Sequence, residues 1–459
     1  MTIKRINKLQ RNFFYSNLTK DISFRVSMLS KLEQEIKRRE EDILLALKKD
    51  LNKSETEAYL TEISIVLEEI KLYKKKLAKW NKRQRKGSPI SHWPSSSYIY
   101  REPYGNVLVL APWNYPFQLA VLPLVGAIAG GNTVVLKPSR NSKHTSEVIR
   151  QIVREVFPEK YVYCIEEEIS NEEILKGKYN LIFFTGSPRA AKDVMKAAAK
   201  RLTPVVLELG GKSPCIIDSS ADLEVAARRL AWGKFLNAGQ TCVAPDYLLI
   251  DNKVKDKFIV ILKKYIKAMY GDDALVNKDY VHIINDDRFN KLSDLISNSI
   301  LNGHEIYGGR QNEESLCIEP TIICDASWDD EVMNEEIFGP ILPVIGYDNL
   351  AEEIEVIKSR PRPLALYIFS KDKKVVSNVI NSVSFGGGCV NDVVMHVANN
   401  RLPFGGVGNS GMGVYHGKYT FETFTRPKSI EYGKNYLDIP LRYPPYKKRK
   451  LKLIRKILG

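Results

Sequence analysis

The sequence predicts an α/β protein built around parallel sheets with helices on both faces. Three observations point there. From Asn106 onward, short apolar runs alternate with stretches of helical period. The runs are apolar throughout, as strands buried on both faces are. A second series with the same rhythm runs from SPCIID at 213 to GGGCVND near 391.

The elements follow in order. Residues 1 to about 85 read as helical, because DILLALKKDL and EISIVLEEIKLYKKKLAKW place apolar residues three and four apart. QRKGSPISHWPSSS reads as a loop, and SSYIYREPYG as a short extended segment. Then come strand NVLVL, an apolar helix and strand NTVVLKPS. Helix SEVIRQIVREVF leads to strands YVYCI and NLIFFTGS, and helix AAKDVMKAAAK to strand PVVLELGG. After the second series, LPFGGVGNSGMG reads as irregular, and the chain ends in the basic run KKRKLKLIRK. No internal repeat is visible.

Composition bounds the function. At roughly 150 residues per domain, 459 residues make two or three domains. That is enough core to need neither disulfides nor a structural metal. Apolar residues are 44% and charged residues 27%, an ordinary globular balance. Six sparse cysteines without a C-x-x-C pair suggest a reducing, cytoplasmic compartment. No His cluster suggests a metal site. Leu119–Gly131 is too short to span a bilayer, and the N-terminus lacks a signal-peptide pattern. The net charge of +15 is partly local, with seven cations between Lys447 and Lys456. With no recognised motif beside it, that charge does not predict a nucleic-acid binder.

The residues that carry chemistry lie at element boundaries. Cys242 stands in NAGQTCVAPDY, where a thiol on a small-residue loop can act as a nucleophile; the alternative is a buried structural cysteine. Glu208 ends the strand of PVVLELGG, where partial burial would raise its pKa and suit a general base; the alternative is an edge carboxylate paired with Lys212. Asn114 follows strand NVLVL, where its amide can donate to an oxyanion or stabilise a turn between prolines. Lys137 and Ser139 end one strand, and Thr185, Gly186 and Ser187 another. Both loops lead towards helices that could hold phosphate, although no G-x-G-x-x-G occurs.

APWNYP, LKPS, FTGS, LELGGKSP, GQTC, EEIFGP and LPFGGVGNSGMG, in this order, resemble the aldehyde dehydrogenase superfamily over nearly the whole chain. CVAPDY, YHGKYTFETF and RYPPY are similar to its class 3 branch, which oxidises medium- and long-chain aliphatic and aromatic aldehydes. The resemblance implies Cys242 as nucleophile, Glu208 as general base and Asn114 as oxyanion donor. It implies NAD or NADP as cofactor, with Trp113, Lys137, Ser139, Arg140, Gly186, Ser187, Glu336 and Phe338 at its site. It also implies a Rossmann-like cofactor domain (1–95 and 106–207), a catalytic α/β domain (208–391), a small β bridging element (96–105 and 392–440), a basic tail (441–459) and a homodimer. In this reading an aldehyde forms a thiohemiacetal and then a thioester on the cysteine, and Glu-activated water releases the acid. A coenzyme A-acylating enzyme is the enzymatic alternative, against which Glu208 speaks. An inactive binding homologue is the other, against which Cys242 speaks.

Two positions depart from the branch. Arg140 stands where an acidic ribose ligand is usual, and could pair with a 2′-phosphate. Ala190 and Ala191 stand where a V-G pair often opens the helix. In the tail, Leu451, Leu453, Ile454, Ile457 and Leu458 would share one helical side, opposite Lys452, Arg455 and Lys456. Such a segment is either a solvated tail or a weak, reversible contact with an anionic membrane.

Overall fold

The computed structural model describes residues 2–166, 169–438 and 440–458. The N-terminal helices Ile22–Arg38, Glu40–Leu51 and Ser64–Trp80 are amphipathic. They turn Leu29, Leu32, Leu47, Ile70 and Tyr73 inwards and are packed on the first sheet's helices.

That first sheet runs, in spatial order, Gly411–Met412, Val205–Glu208, Leu181–Thr185, Asn106–Leu110, Thr133–Lys137, Val162–Cys164. All pairs are parallel except the first. Asn106–Leu110 is buried along its whole length, which is why it reads as a continuous apolar run. Helix Gln118–Gly130 is buried on every side and ends at Gly131. There φ is +88° and an added Cβ would meet the Arg25 guanidinium at 2.8 Å, so the position requires glycine.

The second sheet runs Ile306–Tyr307, Thr321–Ile323, Ile341–Tyr347, Tyr247–Asp251, Pro214–Ile217, Ala365–Phe369, Gly387–Val390. It too is parallel except for its first pair. A separate antiparallel sheet places Ser96–Pro103 between Gln84–Lys86 and Thr425–Tyr432.

Two details differ from the expected elements. Gln84–Lys86, expected within a loop, is an edge strand registered against Ser97–Ile99. It is short, polar and exposed, so it carries no apolar alternation to reveal it. Gly411–Met412, from the stretch expected to be irregular, pairs with Leu207–Glu208 in the first sheet. A Cβ on Gly411 would lie 2.4 Å from the Leu207 carbonyl oxygen.

All six cysteines are free thiols. Among the described residues no His, Cys, Asp and Glu group could hold a metal, and no helix is long and apolar enough to cross a membrane. The tail forms a helix, Lys448–Leu458, with Leu451 and Leu453 exposed. The side chains of Ile457 and Leu458 lie outside the described residues.

Candidate active site

Strand ends from the two sheets meet across a cleft of about 1120 Å³. Of the eleven residues that the resemblance places at the site, eight line it: Trp113, Asn114, Gly186, Ser187, Glu208, Cys242, Glu336 and Phe338. Backbone pairing stops at these strand ends, so side chains and loop amides there are available to a ligand.

Cys242 follows a sharp reversal in which Asn237, Ala238 and Gly239 all take positive φ. The residue is half-buried. Burial pushes its thiol up to about 12, and the neighbouring carboxylates of Glu336 and then Glu208 act in the same direction. Its own backbone N–H and that of Val243 act the other way, donating towards the sulfur.

Glu208 ends its strand with only 3% of its surface exposed. Neither carboxylate oxygen has a hydrogen-bond partner, and burial holds the group well above the usual carboxylate range. The alternative partner, Lys212, is engaged elsewhere: its Nζ lies 2.6 Å from Asp246 Oδ2. An unpartnered buried carboxyl is costly in a fold, and once ionised it takes up a proton more readily than an exposed one.

Glu336 lies against the turn after Glu208. A Cβ on Gly210 would sit 1.9 Å from its Oε2, so only glycine leaves room for the carboxylate. Burial, helped by Asp246, raises Glu336 to about 8, opposed by the Gly211 N–H, Arg288 and Lys212. Its loop is clamped from three sides. Lys212 donates to the carbonyls of Val332 (2.7 Å) and Glu335 (3.1 Å). The Ile337 N–H donates to Asp246 Oδ1, and Arg288 donates to the Ile337 carbonyl. Phe338, at φ +52°, meets Trp113 edge-on at 5.4 Å.

Asn114 is 3% exposed, and its Nδ2 donates to the Gln240 carbonyl at 3.0 Å, tying it to the loop of Cys242. Beside Glu208, whose carbonyl accepts from the Gly186 N–H at 3.0 Å, Gly186 and Ser187 precede helix Pro188–Ala199, whose first turn is capped by the Ser187 hydroxyl. A Cβ on Gly186 would meet the Phe184 ring at 2.6 Å. The cleft thus brings a helix N-terminus, suited to phosphate, together with Glu208 and Cys242. These residues fit an elongated dinucleotide.

Lys137, Ser139 and Arg140 do not line this cleft. They share a small recess with Lys143, Arg150 and Glu166. The exposed Arg140 donates from Nη2 to the Ile169 carbonyl at 2.6 Å.

Two further groups at the site carry no distinctive signal in the sequence. Leu60, Ile65, Leu119, Leu122, Trp232 and Met395 give the cleft an apolar arm. Their helical spacing is equally that of core residues, so no signal separated them. Lys53, Glu62, Asn237 and Gln240 lie buried behind Asn114 and Cys242. Their partners are distant along the chain, so no local motif marks the first two.

Comparison with known proteins agrees with this geometry. The Aldehyde dehydrogenase family matches residues 14–430. The chain is 47% identical to a 4,4'-diaponeurosporen-aldehyde dehydrogenase of Staphylococcus aureus, over 95% of each chain. It is 42% identical to a dimeric, NADP-preferring aldehyde dehydrogenase of Rattus norvegicus, over 97% of each. Its fold superposes on a solved substrate-bound AldH of Staphylococcus aureus with a TM-score of 0.97 at 45% identity, covering 100% of both chains. With the family model spanning most of the sequence and these relatives matched from end to end, the chain belongs to the aldehyde dehydrogenase family.

Proposed function

We propose that the chain oxidises aldehydes to carboxylic acids with NAD or NADP, using Cys242 as nucleophile, Glu208 as general base and Asn114 as oxyanion donor. Family membership supports the reaction. The meeting of Cys242, Asn114 and the unpartnered Glu208 carboxylate in one cleft carries the residue roles.

The Cys242 thiol loses its proton to water, and its sulfur bonds to the aldehyde carbon as the carbonyl π pair moves to oxygen, forming a thiohemiacetal. The Asn114 amide and the backbone N–H of Cys242 donate to the oxyanion. Bound NAD or NADP supplies the hydride acceptor. Cys242 then carries the acyl group as a thioester. Glu208 takes a proton from water, the resulting hydroxide attacks the thioester, and the proton passes from Glu208 to the departing Cys242 sulfur, releasing the acid and the thiol. Gly186, Ser187, Glu336, Phe338 and Trp113 line the part of the cleft suited to the cofactor. Lys137, Ser139 and Arg140 would lie beyond it at the adenosine end. The apolar arm suits medium- or long-chain and aromatic aldehydes.

Reduced-nicotinamide absorbance with hexanal, decanal and benzaldehyde tests this reading. Cys242→Ser should lose turnover with every aldehyde. Glu208→Gln should give a burst of reduced cofactor followed by slow turnover, and added coenzyme A should not restore it. Full steady-state activity in either variant would refute the mechanism.

The relatives named as dimeric support a homodimer, and the six free thiols suit a reducing, cytoplasmic setting. The exposed helix Lys448–Leu458, with Leu451 and Leu453 open to solvent among the cations, supports weak peripheral contact with an anionic membrane.

A further inference from the structure

The N-terminal helical segment reaches under the active site through a buried ion pair. A π-helical turn, Tyr59–Ile63, carries Glu62, and such turns often mark functional positions. Lys53 Nζ lies 2.6 Å from Glu62 Oε1, and both residues are almost wholly buried. Glu62 Oε2 accepts from the backbone N–H groups of Phe117 (2.8 Å) and Gln118 (3.1 Å), at the start of helix Gln118–Gly130. Lys53 also donates to the Asn114 carbonyl at 3.4 Å and sits 4.0 Å from the Tyr115 ring centroid. One ion pair therefore holds both ends of the Asn114–Gln118 loop.

A second contact joins this loop to that of the nucleophile. Asn237 Nδ2 donates to the Asn114 carbonyl (2.9 Å) and to the Gln240 carbonyl (3.0 Å). Asn114 Nδ2 donates to that same Gln240 carbonyl, and the Tyr115 hydroxyl bonds to Thr241 Oγ1 at 2.7 Å. Asn237 and Ala238 hold left-handed backbone, which non-glycine residues sustain only where surrounding contacts fix it. An amide nitrogen has two hydrogens in one plane. With one committed to the Gln240 carbonyl, the direction of the other is set by the position of the loop.

We infer that Lys53, Glu62 and Asn237 are positioning residues for the reaction: they aim the free N–H of Asn114 at the oxyanion formed on Cys242. The inference rests on the proposed roles of Asn114 and Cys242. It places part of the oxyanion site's support in the N-terminal helices, far from either residue in sequence. Preorganised donors lose much of their effect when loosened, so the rate should respond to these residues through Asn114.

Epistasis with Asn114 tests this. The variants are Asn114→Ala, the apolar pair replacement Lys53→Met/Glu62→Leu, and Asn237→Gly, which keeps the left-handed backbone accessible. Each is made alone, and the last two also in the Asn114→Ala background. The readouts are kcat and KM for hexanal at saturating NAD, KM for NAD, and thermal unfolding. Asn114→Ala should lower kcat about 100-fold or more. The pair replacement and Asn237→Gly should each lower kcat about tenfold with KM for NAD unchanged, and should cost less than twofold once Asn114 is alanine. Equal losses with and without Asn114, or no loss in kcat, would overturn the inference while leaving the proposed mechanism standing. An Asn114→Ala enzyme of normal kcat would overturn the role of Asn114, and the inference with it. If the pair replacement does not fold, the Asn237→Gly cycle decides alone.

Discussion

Glu336→Gln should make the protein more stable near neutral pH, not less. In the fold the Glu336 carboxyl holds its proton up to about pH 8, against an ordinary value of 4.5. Between those values the unfolded chain has already released the proton while the folded one retains it. Stability therefore falls as pH rises from about 4.5 to about 8 and is constant above. The full shift corresponds to about 3 kcal/mol at pH 7 and about 5 kcal/mol above pH 8. Glu336 is half-buried at the cleft wall, and solvent there reduces the pH 7 figure to about 2 kcal/mol. Glutamine keeps the shape and an acceptor for the Gly211 N–H but has no charge to desolvate. At about 1 kcal/mol per degree for a chain this long, the variant should gain about 2 °C in Tm at pH 7 and more at pH 8.5, with no gain at pH 4. Above about pH 8, where Glu336 is ionised in the parent, the variant should also react faster with iodoacetamide at Cys242. Thermal unfolding across pH 4–9, with inactivation rates over the same range, measures both. A variant no more stable at pH 8.5 than at pH 4, relative to the parent, would refute the reasoning.

Arg140→Glu should lower kcat/KM with NADP relative to NAD; an unchanged ratio would show that Arg140 plays no part in cofactor choice. Removing residues 447–459 should abolish co-sedimentation with anionic liposomes at low salt and leave neutral liposomes unbound; equal binding by the shortened chain would remove that role from the tail. A Cβ on Gly388 would lie 1.9 Å from the Leu366 carbonyl oxygen of the paired strand, so Gly388→Ala should cost about 1–3 kcal/mol in denaturant unfolding. Gly87→Ala, with open space around it, should cost nothing measurable.

The α/β rhythm was legible because parallel strands buried on both faces must be apolar throughout. NVLVL and LIFFT therefore stand out as runs between helical periods. The chemistry was legible where a residue type is out of place. Glu208 ends an apolar strand, and Cys242 and Asn114 sit on short loops at element boundaries. Arg140 shows the limit. Its loop could be located, but the direction of its side chain, towards the Ile169 carbonyl, follows from packing between elements. Lys53 and Glu62 were hidden for a different reason. On a helical segment rich in Lys and Glu they look like solvated surface charges. Only the fold shows them buried, with the amides of residues 117 and 118 and the carbonyl of Asn114 as partners.

This division has a physical origin. The reactive groups stand at the carboxyl ends of strands, where the sheets supply rigidity but few polar partners. Glu208 is left without a hydrogen bond, and Glu336 and Cys242 are raised by burial. Such groups reduce stability, and they are tolerated because two sheets with continuous apolar strands surround them. The polar support that sets direction comes from elsewhere in the chain: the N-terminal helical segment through Lys53 and Glu62, and the loops and helix around the second sheet through Lys212, Asp246 and Arg288. Rigidity and direction therefore have separate sources. Core substitutions in the strands should lower stability with little change in kcat, whereas substitutions in the buried polar contacts should lower kcat by more than their effect on stability accounts for.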